Sequence, residues 1–349
     1  MKTRLCEFAR ELGFDGCRVT TADPPASVPQ FRRWLDAGRQ GTLSWLARGA
    51  DKRADLSRVL PGVQSVVTLA VHYSDHEPAA EIGPAMAGAE GRPRGWIARY
   101  ARFQDYHKPI AKALRRLSRW MNDQGGPGMC SIGYVDTGPV LERDLAQRAG
   151  LGFVGKHTGL IRRGAGVWCF LAEILTTLPL EPDPAEPNHC GRCTRCLRAC
   201  PTGALVAPFQ LDARRCLAYW TIESPGTIPI ELRPALGNRI FGCDTCLAVC
   251  PWNRFAQPGR WMAAMARPDL AQPDLLEFLV LDEAGFRRRF GGTPLERLHL
   301  NRLQRNVCVA LGNRAGREAL PGLRAAATGP DQLVAEHANW AIGQIEHPA

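Results

Sequence analysis

Eight of the thirteen cysteines fall between Cys190 and Cys250, in two sets whose spacing repeats. Cys190, Cys193, Cys196 and Cys200-Pro201 form C-x2-C-x2-C-x3-C-P, while Cys216, Cys243, Cys246 and Cys250-Pro251 form C-x26-C-x2-C-x3-C-P. Three thiolates at such short intervals surround one face of an iron–sulfur cubane, and a remote cysteine closes the last corner. Eight thiolates satisfy two 4Fe-4S clusters, and in paired-cluster proteins the last cysteine of one set serves the other cluster. That crossing assigns Cys190, Cys193, Cys196 and Cys250 to the first cluster and Cys200, Cys216, Cys243 and Cys246 to the second. Zinc is the rival, since four-cysteine zinc sites also use C-x2-C pairs. A third cysteine at x2 and a Cys-Pro ending that occurs twice favour iron. Cys6, Cys17, Cys130, Cys169 and Cys308 lie apart and read as small buried hydrophobes or inert thiols.

Two neighbouring clusters conduct electrons and do no carbon chemistry themselves, so the rest of the 349 residues needs another role. The residue placed to do chemistry is Asp136. Ser131–Val135 reads as a short strand, and Thr137-Gly138-Pro139 as a turn into a helix, with Pro139 suited to its first position. That helix is expected to reach about Ala149 and stop at Gly150. Asp136 therefore stands at a strand end facing a helix start, where functional groups of α/β-type folds collect. A plain helix N-cap is the alternative use of an aspartate there.

The elements that hold these residues can be read from periodicity. Met1–Phe14 reads as a charged amphipathic helix. Cys17–Thr21 and Val66–His72 are β-branched runs bounded by turn formers, the pattern of buried strands. Between Asp105 and Asn122, Ile110, Leu114, Leu117 and Met121 recur at helical spacing. Pro179 to Pro187 is a stiff proline-rich linker into the cysteine region. Past Pro258, the segments Arg305–Asn313 and Glu336–Ile345 share an Ala-[Leu/Ile]-Gly core 31 residues apart, with a helical stretch, Arg317–Ala327, between them. Such a period resembles HEAT-like helix pairs, a plain helical cap being the alternative. The expected fold is α+β: a mixed α/β N-terminal domain over 1–180, a ferredoxin-like two-cluster insert over 181–258, and HEAT-like helical repeats over 259–349.

Forty-four Lys and Arg against thirty-four Asp and Glu give a formal charge of +10. Of the 349 residues, 45% are apolar and 22% charged, which excludes a disordered chain. The longest apolar candidate, Val167–Leu175, is broken by Glu173 and is too short for a membrane span. The N-terminus shows no signal-peptide pattern, so a cytoplasmic protein is expected. Arg92 to Arg119 carries nine basic residues against Asp105 alone, and Arg287 to Arg324 carries nine Arg against Glu296 and Glu318. Two such runs point to a polyanion partner, although charge runs also occur as solvated helix faces.

The sequence resembles the epoxyqueuosine reductase family, cobalamin-dependent iron–sulfur enzymes of transfer-RNA modification related to the reductive dehalogenases. The resemblance spans nearly the whole chain: Asp105-Tyr106-His107, Val135-Asp136-Thr137 with Glu142-Arg143, Gly152-Phe153-Val154-Gly155-Lys156, Leu171-Ala172-Glu173, both cysteine sets with Cys200-Pro201-Thr202-Gly203-Ala204, and Trp340-Ala341-Ile342-Gly343. It implies a corrinoid held by the N-terminal domain against the clusters. The chain has no D-x-H-x-x-G corrinoid motif, consistent with a cobalamin bound without an axial histidine. The implied reaction removes an epoxide oxygen as water and leaves an alkene, with Asp136 as proton donor. That role calls for a carboxyl pKa raised by burial.

Positions matching the family's cobalamin contacts are Arg53, Ala98, Asp136, Lys156, Leu160 and Leu171, with Asp244 and Thr245 as candidates for facing the corrin edge, solvent-exposed turn residues being the alternative. The implied partners are a tRNA anticodon stem-loop and an external electron donor such as flavodoxin, with no membrane. Arg287-Arg288-Arg289 and the helical tail would grip phosphates, and Trp220, Trp252 and Phe255 would stack on loop bases. Two other readings remain: a corrinoid reductive dehalogenase, and a two-cluster electron-transfer protein without a corrinoid.

Overall fold

The structure, a computed structural model, describes residues 1–74 and 91–347. Its N-terminal half is built on a four-stranded antiparallel sheet of β1 (Gly16–Thr21), β2 (Ser65–His72), β3 (Ser131–Tyr134) and β4 (Cys169–Thr176), in the order β1-β2-β4-β3. β2 (SVVTLAVH) and β4 (CFLAEILT) are the two central strands and are covered on both faces, which explains their unbroken apolar runs. One face, including Phe170, Ala172 and Ile174, packs on α1 (Lys2–Glu11) and α2 (His107–Gly125) through Leu5, Ala9, Ile110, Leu114, Leu117 and Met121. Each large side chain so buried contributes about 1.5–3 kcal/mol. The other face carries Leu171, Glu173 and Leu175 toward α3 (Glu142–Arg148).

Every pairing in this sheet is antiparallel. One sequence expectation changes here: the helix after Asp136 begins at Glu142, not Pro139. Asp136 has φ +60°, a left-handed conformation, and the Thr137 N–H returns to the Val135 carbonyl at 2.6 Å. That reversal throws the chain off a helical path for several residues.

In the cysteine region, two short helices, α4 (Arg195–Ala199) and α5 (Thr245–Ala248), pack against each other. Each is followed by a Cys-Pro pair, and the cysteines adopt nearly the same extended backbone: Cys200 at φ −67°, ψ 114° and Cys250 at φ −68°, ψ 123°. A following proline excludes the helical conformation from both. Pro251 then opens a 3-10 turn, Pro251–Phe255.

At the C-terminal end, α6 (Leu300–Arg314) packs on α8 (Gln332–Glu346), which also packs on α7 (Leu320–Ala327). The two Ala-x-Gly cores differ in their surroundings. A Cβ on Gly312 would lie 2.8 Å from the Cα of Ala341, whereas one on Gly343 would meet nothing within 4 Å. Two main apolar clusters organise the chain. The first runs from Leu5 to Met262 and takes in Ala248 and Cys250; the second joins Ile97, Ala101, Ile240 and Phe241 to the C-terminal helices as far as Ala341. Among the described residues, no helix is long and apolar enough to cross a membrane.

Candidate active site and iron–sulfur ligands

The thiols gather in two quartets. Burial pushes Cys250 up to about 11, and the thiols of Cys190, Cys196 and Cys193 act on it in the same sense. Cys246 is raised well above an ordinary thiol by burial, then by Cys243, Cys216 and Cys200. Cys216, at about 11 through burial, also responds to Cys243 and Cys200. Among the described residues, no three His, Cys, Asp or Glu side chains converge on a point that would hold a single metal ion.

Asp136 lies where α2 begins. Its Oδ2 accepts a hydrogen bond from the Tyr106 hydroxyl at 3.0 Å and lies 3.4 Å from His107 Nε2. His107 Nδ1 is 2.7 Å from Asp105 Oδ1, and Arg297 donates to Asp105 Oδ2 at 3.2 Å. Burial depresses the His107 pKa, but the two flanking carboxylates more than offset this and raise it. Asp105 is held at about 2, its burial outweighed by the His107 hydrogen bonds and charge. The expectation for Asp136 itself is reversed. Hydrogen bonding from His107 lowers its pKa, burial only partly opposes this, and Tyr106 adds to the lowering. Its side chain is 57% exposed, so the burial that the proton-donor role calls for is incomplete.

The raised carboxyls lie behind it. Glu142, in the first turn of α3, is pushed up to about 7 by burial and then by the charge of Asp136. Glu173 is 1% exposed on β4, between Thr68 and Tyr134 in register, and neither carboxyl oxygen has a hydrogen-bond partner. Burial, then the charges of Glu142 and Asp136, raise it far above the usual range, so it is neutral. In the sequence Glu173 registers only as an interruption of an apolar run. Its alternation with Leu171 is the available signal, since both point to the same sheet face.

Leu171 and Leu160 are apolar neighbours on this side of the sheet. Arg53 is buried beside Trp45, its guanidinium 5.2 Å from the ring centroid, and burial lowers its pKa. Arg143 donates to the Thr158 carbonyl at 2.7 Å and so fixes the loop that carries His157. His157 accepts from the Gly159 N–H at Nδ1 (3.1 Å), which places the neutral ring's proton on Nε2, and that buried atom has no partner. Burial brings its pKa down to about 4. Lys156 turns toward the first cysteine set, donating to the carbonyls of Gly191 (2.7 Å) and Cys193 (3.0 Å).

The second thiol quartet meets this region through Ala98. Gly242 has φ +74°, and a Cβ there would lie 2.5 Å from Ala98 Cβ, so only glycine admits this approach. Asp244 is buried and accepts from the Arg99 N–H at 2.5 Å; burial raises its pKa. Thr245 Oγ1 accepts from Arg239 at 2.9 Å and sits 3.4 Å from Cys243 Sγ. Tyr100 spans the two centres: burial, then the charges of Asp136 and Asp244, raise its pKa.

The basic runs divide. Lys108, Lys112, Arg115, Arg116 and Arg119 are exposed along α2, and Arg287 and Arg288 are exposed too. Arg99, Arg102 and Arg305 are buried, against the expectation of a continuous phosphate-gripping surface. Arg305 instead donates to the carbonyls of Trp220 (2.6 Å), Ser224 (2.9 Å) and Gly226 (2.6 Å). Trp252 packs against the first apolar cluster beside Phe153, and Trp220 donates to the Arg214 carbonyl, leaving Phe255 as the exposed aromatic of the three.

Comparison with known proteins bears on this arrangement. Residues 189–253 match the 4Fe-4S double cluster binding domain, and residues 53–137 match the family described as epoxyqueuosine reductase QueG, DUF1730. The epoxyqueuosine reductase of Xanthomonas campestris pv. campestris is 42% identical over 98% of this chain and 95% of its own length. A crystal structure of epoxyqueuosine reductase with an epoxyqueuosine-modified tRNA-Tyr stem loop superposes with a TM-score of 0.86 at 33% identity, covering 99% of this chain and 90% of that one. The Bacillus subtilis epoxyqueuosine reductase, captured with an aspartate-bearing catalytic loop swung out of its active site, has a TM-score of 0.86 at 32% identity over 99% of this chain and 90% of that one. With likeness at this level over essentially its full length, the chain belongs to the epoxyqueuosine reductase family.

Proposed function

We propose that this chain reduces the epoxide of epoxyqueuosine, at the wobble position of a tRNA anticodon stem-loop, to the alkene of queuosine. The balance is one epoxide, two electrons and two protons giving one alkene and one water. The observation that carries this reading is that Tyr100 feels the charges of both Asp136 and Asp244, the residue after Cys243, while Gly242 on the other side of Cys243 closes on Ala98. The proposed acid and the proposed electron source thereby belong to one neighbourhood.

Cobalamin suits the residues present. Leu160, Leu171 and Ala98 offer apolar contact to a macrocycle. The unpartnered His157 Nε2–H and the neutral Glu173 carboxyl are buried polar groups of the kind that peripheral corrin amides would satisfy. Arg53 would hold an amide or the tail phosphate, and Asp244 and Thr245 fix the backbone beneath the corrin edge. When bound, the corrin cobalt supplies a low-valent reductant refilled one electron at a time from the two 4Fe-4S clusters. The protein's part is protonic. Asp136 delivers a proton to the departing oxygen, and His107, its pKa raised between Asp105 and Asp136, replaces it through Nε2. An RNA substrate places this work in the cytoplasm, and electrons arrive from an external carrier.

The deciding experiment incubates the purified holoenzyme with epoxyqueuosine-containing stem-loop and a chemical reductant, digests the RNA and weighs the nucleoside. A product lighter by one oxygen atom supports the reading. Unchanged epoxyqueuosine, with iron and cobalamin both bound, overturns it.

A further inference from the structure

We propose that the arginine-lined depression beside Cys250 is the docking site for an acidic one-electron carrier protein. This rests on the assignment of the thiol quartets to clusters, and deepens it by naming where electrons enter. The depression is lined by Arg195, Arg198 and Ala199 of α4, by Ala248 at the end of α5, and by Cys250 and Arg254 beyond it. All three arginines are exposed, and none of them forms an ion pair among the described residues. The guanidinium of Arg254 lies 4.5 Å from the ring centroid of Phe255, which is itself 37% exposed. Three arginines without ion-pair partners, one of them stacked beside an exposed aromatic, form the kind of surface that steers and holds an acidic partner.

Position in the wire selects the occupant. Cys243 follows Gly242, whose backbone closes on Ala98, a proposed cobalamin contact, so its quartet is the exit end. By the crossed spacing Cys250 goes with Cys190, Cys193 and Cys196, the entry end; Cys190 packs against the same apolar cluster as Cys250, and Cys250 lines the depression. A carrier seated on the three arginines therefore stands next to a ligand of the first cluster. A loop nucleotide, by contrast, has to reach the Asp136 space beside the second cluster. At each docking the carrier is oxidised by one electron and the first cluster is reduced by one, so a single turnover takes two dockings. Short, repeated encounters of this kind suit a small, charge-guided interface.

The test uses holoenzyme and reduced flavodoxin as the acidic probe, with R195E/R198E/R254E and R195K/R198K/R254K compared with the parent protein. Calorimetry at low salt is expected to show flavodoxin binding weakened about tenfold or more by the glutamate set and largely kept by the lysine set. Stopped-flow bleaching of cluster absorbance by flavodoxin should slow in parallel, while bleaching by dithionite, iron content and stem-loop gel shift stay unchanged. Parent protein that ignores flavodoxin, or equal binding by the glutamate set, overturns the proposal. So does loss of stem-loop binding with flavodoxin binding intact, which would give the patch to RNA. Parent protein lacking iron would instead defeat the cluster assignment itself.

Discussion

The left-handed backbone at Asp136 restricts what can replace it. Asparagine shares aspartate's tolerance of that conformation, while alanine does not. Asp136→Asn should therefore keep the melting temperature and bound cofactors while lowering turnover about 100- to 10,000-fold, the usual worth of a general acid. Asp136→Ala should lose activity and also about 1 kcal/mol of stability to strain, read by denaturant melts. Glu142 gives a pH prediction. Its carboxyl titrates near 7 in the folded chain against a usual 4.5, so between those values the folded state holds the extra proton. Stability from this group consequently falls as pH rises from about 4.5 to about 7. Glu142→Gln, with nothing to ionise, should gain in melting temperature relative to the parent protein across that window, and equal curves would refute the assignment. Asp136 can be located from sequence because it ends a short strand before a turn. The direction of its pKa shift cannot, because that depends on Tyr106 and His107, thirty residues away in the chain, reaching back across the fold.

Secondary elements are readable wherever one local pattern decides them. The central strands announce themselves because both faces are covered, and α2 because its apolar stripe repeats for nineteen residues. The start of α3 escapes the sequence for a reason no propensity carries: a positive φ at one non-glycine residue redirects the chain past Pro139. Similarly, the matching Ala-x-Gly strings of α6 and α8 suggest equivalent packing, yet only Gly312 meets a neighbouring backbone. Arg305 on α6 sits in a basic run that reads as surface charge, whereas it ties that helix to the segment between Cys216 and Cys243 through three carbonyls. Arg305→Ala leaves those acceptors unpaired in the interior and should cost about 3 kcal/mol or more in urea unfolding. A change under about 1 kcal/mol would show that water replaces the guanidinium.

Taken as one body, the protein separates its charge by task. The exposed bases of α2 and of Arg287 and Arg288 face solvent, while the buried arginines brace loops. Stem-loop affinity should fall linearly on a log–log plot against salt, and R287E/R288E should flatten that slope by roughly 0.7 for each phosphate that is no longer neutralised. A slope unaltered in the variant would remove these residues from the RNA surface. Composition points to a polyanion partner because net charge sums over the chain, but which arginines are solvent-facing depends on tertiary packing that composition does not encode. One further consequence comes from the first apolar cluster, which runs from Leu5 to Met262 and includes Cys250, with Cys190 packed against it. On the proposed ligand assignment, metal acquisition and folding are a shared event, because the same side chains would grip iron and complete the interior. Under iron starvation the newly made polypeptide should be loosely closed and readily degraded, so that enzyme abundance, and with it the wobble-base modification, would track nutrient supply without any dedicated sensor.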